Sequence, residues 1–488
     1  MIVSCDEMRA VEQAAFAAGV TAEQLMEQAG AQVALVVRQF FSCPGTALIF
    51  YGKGHNGGDA LVAARHLASA GWRIILHPQT ADSEKLSDLT RRQLAQLDVP
   101  DETAHTHPLV ILDGLLGLGA RGPLRDDIRA LTREINQIRL AKNAHVFAID
   151  LPTGLDGDTG EADADCVCAD FTLAIGLAKR GLVADAATDF VGRLAVLPLA
   201  EFPVTPGGDE VATPANLAPL LPRRKFASHK TNYGRIAIVA GSPGFTGAAL
   251  LVASGALRAG GGLITIFAAR EIYDTLAAAA PPEIMVRAVA SYLEVLESHS
   301  DVVALGPGLG QQRATEILPL LERCERPMIV DADALNILAH AKKFDLLRPC
   351  VGPRLLTPHP GEMARLFETK NRTRAEIVRA FTHEFPVTLL LKGARTLIGE
   401  NGQPLSYNTT GSPGMATGGM GDVLTGVCAA LAGQKIPLHA AARLGAWLCG
   451  CAAERALFHA HESVESLAAT DIARHLGAAF KQLRDRSW

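Results

Sequence analysis

GSPGMATGGMGDVLTG, residues 411 to 426, sets six glycines around one acidic residue, Asp422, at the start of an apolar run. Glycine lets backbone N–H groups approach a ligand with no Cβ in the way. Val423 to Leu431 reads as helix, so a helix starting near Gly421 would aim its free N–H groups and positive dipole end at the loop. That is an anion hole of the kind that holds a transferring phosphoryl group. Asp422 at its mouth is placed to take a proton from an attacking hydroxyl, as a general base. A tight turn with Asp422 as a simple helix cap is the competing reading.

Neighbouring strand ends favour the first reading. Short apolar runs alternate with helical patterns through the second half of the chain: Arg235–Ala240, Leu263–Phe267, Asp301–Leu305, Pro327–Asp331 and Val387–Lys392. Continuous apolar strands separated by helices imply a parallel sheet covered on both faces, with ligands beyond its carboxyl ends. Polar or glycine-rich loops fall at those ends: Gly241–Gly247 (GSPGFTG), Gly306–Gly310 (GPGLG), Asp331–Asn336 (DADALN), Thr357–Glu362 (TPHPGE) and Lys392–Thr396 (KGART). Five such loops in one domain are hard to explain as independent turns.

The first half repeats the plan with different chemistry. Strands are expected at Ala47–Tyr51, Leu109–Asp113, His145–Asp150 and Phe171–Ile175. YGKGHNGGD, residues 51 to 59, precedes a helix-like stretch from Ala60 to Ala70 and reads either as a second phosphate cradle or as a simple turn. Asp113–Pro123 (DGLLGLGARGP) and Asp150–Asp156 (DLPTGLD) follow two other strands. Asn56, Asp113 and Thr153 offer oxygen donors suited to a hard cation. Satisfying loop backbone groups is the alternative role for them.

Between the halves, residues 201 to 222 (EFPVTPGGDEVATPANLAPLLP) hold five prolines and a Gly-Gly pair. Such a segment continues neither a helix nor a central strand, so a domain junction is expected near residue 215. The expected architecture is α/β, two three-layer domains, residues 1–215 and 216–488.

Composition sets bounds. The 488 residues are 48% hydrophobic and 20% charged, with a net charge of −5. This suits a globular protein and disfavours nucleic acid, which needs a basic surface. The start, MIVSCDEMRAVEQ, lacks a leader's basic and apolar regions, and the uncharged stretch Ile236–Leu257 is broken by Gly241-Ser242-Pro243-Gly244, so neither secretion nor a membrane span is expected. Nine cysteines, without a C-x-x-C pair, read as buried reduced thiols of a cytoplasmic protein.

In the second half, the ordered run GSPGFTGAALLVASGALRAGGGL, GPGLG, DADALN, TPHPGEMARL, KGART and GSPGMATGGMGDVLTG resembles the ADP- or ATP-dependent NAD(P)H-hydrate dehydratases, over residues 225 to 488. Those enzymes have a ribokinase-like fold. The resemblance implies removal of water from NADHX or NADPHX, coupled to nucleotide cleavage with Mg2+, ADP giving AMP and phosphate. It puts the nucleotide on Lys392, Gly393, Ala394, Arg395, Thr396 and Gly421. It puts the hydrated cofactor near Ala248, Gly308, His359 and the catalytic Asp422. Ser412 stands where Asn is usual and Met420 where Ser or Thr is usual.

Residues 1 to 200 resemble the NAD(P)H-hydrate epimerases, whose motifs are GNGNNGGDG, D-x-x-x-G-x-G and D-x-P-S-G. Glu12 and Leu25–Gly30 also fit. The resemblance implies a Rossmann-like domain that interconverts the R and S hydrates. It implies K+ on Asn56, Asp113 and Thr153. It implies hydrate binding by His55, Asn56, Gly57, Gly58 and Asp59, by Gly117, Leu118, Gly119, Ala120, Arg121, Gly122 and Pro123, and by Asp150, which also serves as the acid–base residue. His55, Ala60 and Thr153 replace Asn, Gly and Ser. The partners expected are the small molecules NADHX or NADPHX and ADP, without nucleic acid or membrane, in a homo-oligomer. A ribokinase-like small-molecule kinase with a fused nucleotide-binding domain, or a non-catalytic nucleotide sensor, are the rival readings.

Overall fold

Apolar strands flanked by glycine-rich turns assemble two mostly parallel sheets, one in each of two compact units, Met1–Val211 and Ala212–Ser487. The computed structural model describes residues 1–98, 106–119, 122–202, 207–348 and 351–486. The units divide at residues 211 and 212, a few residues before the junction expected from the proline-rich segment.

In the first unit the sheet strands are β1 (Thr46–Tyr51), β2 (Arg73–Pro78), β3 (Leu109–Gly114), β4 (His145–Ile149), β5 (Phe171–Ile175) and β6 (Arg193–Leu197). They lie in the order β2-β1-β3-β4-β5-β6, all parallel. TALIFY and LVILDG are buried along their whole length, as strands covered by helices on both faces must be. Leu48, Phe50, Ile111, Val146 and Ala148 form one cluster of the core. The helix after β1 spans His55–Ser69, not Ala60 onward. Asn56, Gly57, Gly58 and Asp59 therefore occupy its first turn instead of a preceding loop. Glycine is a poor helix former, which hid this start from a propensity reading.

The second unit holds β7 (Arg235–Val239), β8 (Leu263–Ala269), β9 (Ile284–Val289), β10 (Val302–Leu305), β11 (Met328–Val330), β12 (Arg354–Leu356), β13 (Thr388–Leu391), β14 (Thr396–Gly399) and β15 (Ser406–Asn408). Their order is β9-β8-β7-β10-β11-β12-β13-β14-β15. From β9 to β13 every neighbour is parallel; β14 runs antiparallel to both β13 and β15. The wholly parallel sheet expected from the sequence is thus corrected at this edge. The turn Lys392–Arg395 is too short for a parallel crossover, which needs a dozen residues or more.

The opening stretch becomes a loop followed by the helix Met420–Gly433, whose interior is buried from Val423 onward. Gly419, with φ +86°, turns the chain into that helix, and a Cβ there would meet Leu251 at 2.5 Å. The helix runs beside Thr246–Arg258 so closely that a Cβ on Gly426 would lie 1.9 Å from the Val252 carbonyl oxygen. No disulfide joins the eight described cysteines; Cys43 is exposed and Cys168 partly so, while the other six are buried as expected.

Candidate active sites and family membership

At the carboxyl end of the second sheet, three elements converge on Asp331. This carboxylate, at the end of β11, is buried. It accepts from Lys392 Nζ at 2.7 Å and from Thr425 Oγ1 at 2.8 Å. Lys392 follows β13, and Thr425 lies in the first turns of the helix Met420–Gly433, so one carboxylate ties the Lys392 loop to the glycine-loop helix. Gly421 opens that helix directly opposite: a Cβ there would stand 3.2 Å from Lys392 Nζ and 3.6 Å from Asp331 Oδ2. Upstream, Glu454 accepts from the Gly411 N–H at 2.9 Å and Ser412 Oγ from Gly414 N–H at 3.2 Å, which anchors the start of the loop.

Asp422 occupies the first turn of the helix, next to this cluster. Burial, then the negative charge of Asp331, pushes its carboxyl up to about 6, against the opposing pull of Lys392. A carboxylate in that range holds a proton weakly enough to pass on and strongly enough to take up near neutral pH. Lys392 is shielded from water, which disfavours its charge, but Asp331, Glu362 and Asp422 outweigh burial and raise its pKa.

His359 has two loyalties. Its Nδ1 accepts from the N–H groups of Gly361 (3.0 Å) and Glu362 (3.3 Å), capping the helix Pro360–Leu366. That leaves Nε2 for a ligand, 3.4 Å from the buried Glu362 carboxylate. Glu362 also stands 3.9 Å from Lys392 Nζ. In the KGART loop, Gly393 and Ala394 are exposed, Thr396 begins β14, and the Arg395 side chain is buried. Arg374 donates to the carbonyls of Leu391 and Lys392, both at 3.2 Å, and fixes the turn from behind. Backbone, rather than the Arg395 side chain, is what this loop presents. Ala248 and Gly308 meet on the other flank, where a Cβ on Gly308 would lie 2.8 Å from Ala248 Cβ.

The first unit carries a separate site at the carboxyl end of its own sheet. Asp113 is fully buried and accepts from Thr153 twice, Oγ1 at 2.7 Å and N–H at 2.8 Å. Asn56 donates to the Leu116 carbonyl at 2.9 Å, and a Cβ on Gly117 would be 3.3 Å from its Cγ. The structure thus brings Asp113 and Thr153 into direct contact and Asn56 onto the adjoining loop. Burial pushes Asp113 up to about 6, although the Thr153 and Leu115 hydrogen bonds oppose it.

Asp150 follows β4 with φ +67°, an unfavourable conformation for a residue with a side chain and a mark of a functional site. It is ion-paired to Lys179, whose ammonium is wholly buried and also donates to the Ile175 carbonyl at 3.0 Å. Asp59, partly buried, is pushed well above the usual carboxylate range by burial and then by Asp150 and Glu12. Glu12 is raised by burial and by Asp150. One ion-paired carboxylate beside two carboxyls biased toward their neutral form is an arrangement able to give and take protons. His55, Gly119, Gly122 and Pro123 are exposed along the rim, Gly57 and Gly58 are buried, and Gly117 and Leu118 lie between; Ala120 and Arg121 lie outside the described residues.

Lys179 and the roles of Asp331, Glu362 and Thr425 were missed in the sequence. Lys179 sits in an ordinary-looking IGLAKRG segment, 29 residues along the chain from Asp150. Asp331 and Glu362 stood in loops already singled out, without roles.

A family model described as NAD(P)H-hydrate dehydratase matches residues 236–476, and one described as YjeF-related protein N-terminus matches residues 22–181. The bifunctional NAD(P)H-hydrate repair enzyme Nnr of Moorella thermoacetica is 37% identical, over 88% of this chain and 88% of its own length. The chain belongs to the bifunctional NAD(P)H-hydrate repair enzymes. The Escherichia coli K12 repair enzyme of the same name is 33% identical over 96% of this chain and 91% of its own. For the fold of the repair enzyme's second unit, a ribokinase-like superfamily protein from Enterococcus faecalis V583 superimposes with a TM-score of 0.51 at 24% identity, covering 58% of this chain and 98% of that one.

Proposed function

We propose that the second unit dehydrates the S form of NADHX or NADPHX at the expense of ADP, and that the first unit interconverts the R and S forms to feed it. The observation that carries the reading is Asp422, a raised carboxyl at the N-terminus of a helix and next to the Lys392–Asp331 ion pair. In a kinase-like reaction that carboxylate takes the proton of the ring hydroxyl as its oxygen attacks the terminal phosphate of ADP, and AMP leaves. The unattacked ring hydroxyl is a poor leaving group; phosphorylated, it is a good one. The ring nitrogen's lone pair then expels phosphate, and loss of the neighbouring ring proton restores the dihydropyridine.

The backbone from Lys392 to Thr396 and the N–H of Gly421 hold the nucleotide's phosphates, with Lys392 as the fixed cation. The hydrate lies against Ala248, Gly308 and His359 Nε2. Among the described residues no three His, Cys, Asp or Glu side chains converge to hold an ion alone. Mg2+ keeps several waters and is held largely by phosphate oxygens, so it would arrive with the nucleotide. When bound it neutralises charge on the transferring group.

In the first unit, the buried Asp113 carboxylate with Thr153 Oγ1 and the Asn56 amide oxygen nearby is a hard donor set with one negative charge, which suits K+. The cation would relieve the burial of Asp113 and rigidify the loop carrying Gly117. Asp150 is the acid–base residue, with Asp59 and Glu12 as neighbouring carboxyls biased toward their neutral form.

Described cysteines that form no disulfide fit a reducing compartment, and we place the enzyme in the cytoplasm as a homo-oligomer. No helix among the described residues is long and apolar enough to cross a membrane. The test is to supply purified S-NADHX with ADP and Mg2+ and follow nicotinamide absorbance, AMP and phosphate. Equal molar yields of all three support the reading. A stable phosphorylated product would replace it with the kinase reading.

A further inference from the structure

The loop Gly241–Gly247 carries an aromatic ring that its packing does not explain. Phe245 is 64% exposed, although an aromatic side chain gains most from burial. Its backbone is fixed on three sides. Phe245 N–H donates to the Ser242 carbonyl at 2.8 Å, its own carbonyl accepts from Ala248 N–H at 3.3 Å, and Ser242 Oγ donates to the Gly308 carbonyl at 2.8 Å. A Cβ on Gly308 would stand 3.1 Å from Phe245 Cβ. Phe245, Ala248 and Gly308 are therefore one rigid patch at the carboxyl ends of β7 and β10, and the ring is its solvent-facing part.

We infer that Phe245 is a stacking platform that binds the hydrated nicotinamide ring; this rests on the dehydratase reading above. The sheet order argues for the nicotinamide rather than the adenine. β7 and β13 are four strand spacings apart, about 19 Å at roughly 4.8 Å per spacing. A base lying over the Lys392–Thr396 turn does not reach Phe245, whereas Asp331 and Asp422 lie between the two flanks. The hydrate keeps a planar ring nitrogen, double bond and carboxamide in conjugation, which gives an aromatic face something to stack on. Phe245 is a positioning residue: it takes no proton and makes no bond.

The test is steady-state dehydration by full-length protein with ADP and Mg2+, comparing the parent, Phe245→Ala and Phe245→Tyr. The inference expects the KM for S-NADHX to rise about tenfold in Phe245→Ala, equivalent to ~1.4 kcal/mol of lost binding. It expects kcat and the KM for ADP to stay within about twofold, and Phe245→Tyr to restore the parent KM, since the ring is kept. An unchanged KM for the hydrate in an active Phe245→Ala enzyme overturns the inference and leaves the dehydratase reading intact. So does a KM for ADP that rises in step, which would assign the ring to the nucleotide. A parent protein that does not dehydrate the hydrate removes both.

Discussion

Lys392 donates a 2.7 Å hydrogen bond to the buried carboxylate of Asp331, and this pair joins β13 to β11 at the mouth of the glycine loop. Removing one partner of a buried pair leaves the other charge uncompensated, a cost of about 3–5 kcal/mol. Lys392→Met is expected to lower the melting temperature of the second unit and raise the KM for ADP. Lys392→Met with Asp331→Asn should recover most of the stability but not the nucleotide affinity. Thermal unfolding and ADP titration of both variants check this.

As the proposed base, Asp422 is expected to set the acid limb of the dehydration rate. Its carboxyl is raised to about 6, and it acts when ionised, so kcat should rise with pH and level off above about 6. Asp422→Asn should lose roughly 10²–10⁴ in kcat, the usual worth of a general base, with little change in the KM for ADP. Stability moves the other way. A raised carboxyl favours the folded state fully below its unfolded value and loses that contribution as pH rises through about 6. Asp422→Asn should therefore melt higher than the parent at pH 8, with the advantage shrinking toward pH 4.

The first unit depends on Lys179 in the same way that the second depends on Lys392. Lys179→Met would strand the Asp150 carboxylate in a buried site and is expected to destabilise that unit by about 3–5 kcal/mol. Lys179→Met with Asp150→Asn should regain stability while epimerisation stays absent. Dehydration of the pure S hydrate should be unaffected in the double variant. Loss of dehydration there would mean that the change had spread beyond the epimerase site.

Potassium should bind the folded first unit and stabilise it by mass action. Its melting temperature is expected to climb with KCl but not with choline chloride at equal ionic strength. Thr153→Ala and Asn56→Ala should abolish the difference. Equal responses to the two salts would reject the cation site on Asn56, Asp113 and Thr153.

How much of this was legible without coordinates depended on how local each signal was. Runs such as TALIFY and LVIL are buried on both faces, so their apolar continuity identified parallel strands within a residue or two. Asp422 and the Lys392 loop stood out because glycine and acid cluster at strand ends, where α/β sheets bind ligands. Lys179 was invisible because its partner is 29 residues away and no local motif links the two. The His55 start was hidden because Gly57 and Gly58 in a first turn look like loop. The antiparallel β14 was hidden because KGART reads as phosphate loop and strand start at once. The capping role of His359 through Nδ1 needed the helix Pro360–Leu366 to be placed first.

The most direct test of the central claim is recovery of nicotinamide absorbance from an equilibrated mixture of R- and S-NADHX given enzyme, ADP, Mg2+ and K+. The account predicts full recovery by the parent protein, no recovery by Asp422→Asn, and recovery of only the S fraction at the parent's fast rate by Asp150→Asn. Full recovery at the parent rate by Asp150→Asn would contradict the epimerase assignment, and any recovery at the parent rate by Asp422→Asn would contradict the dehydratase site.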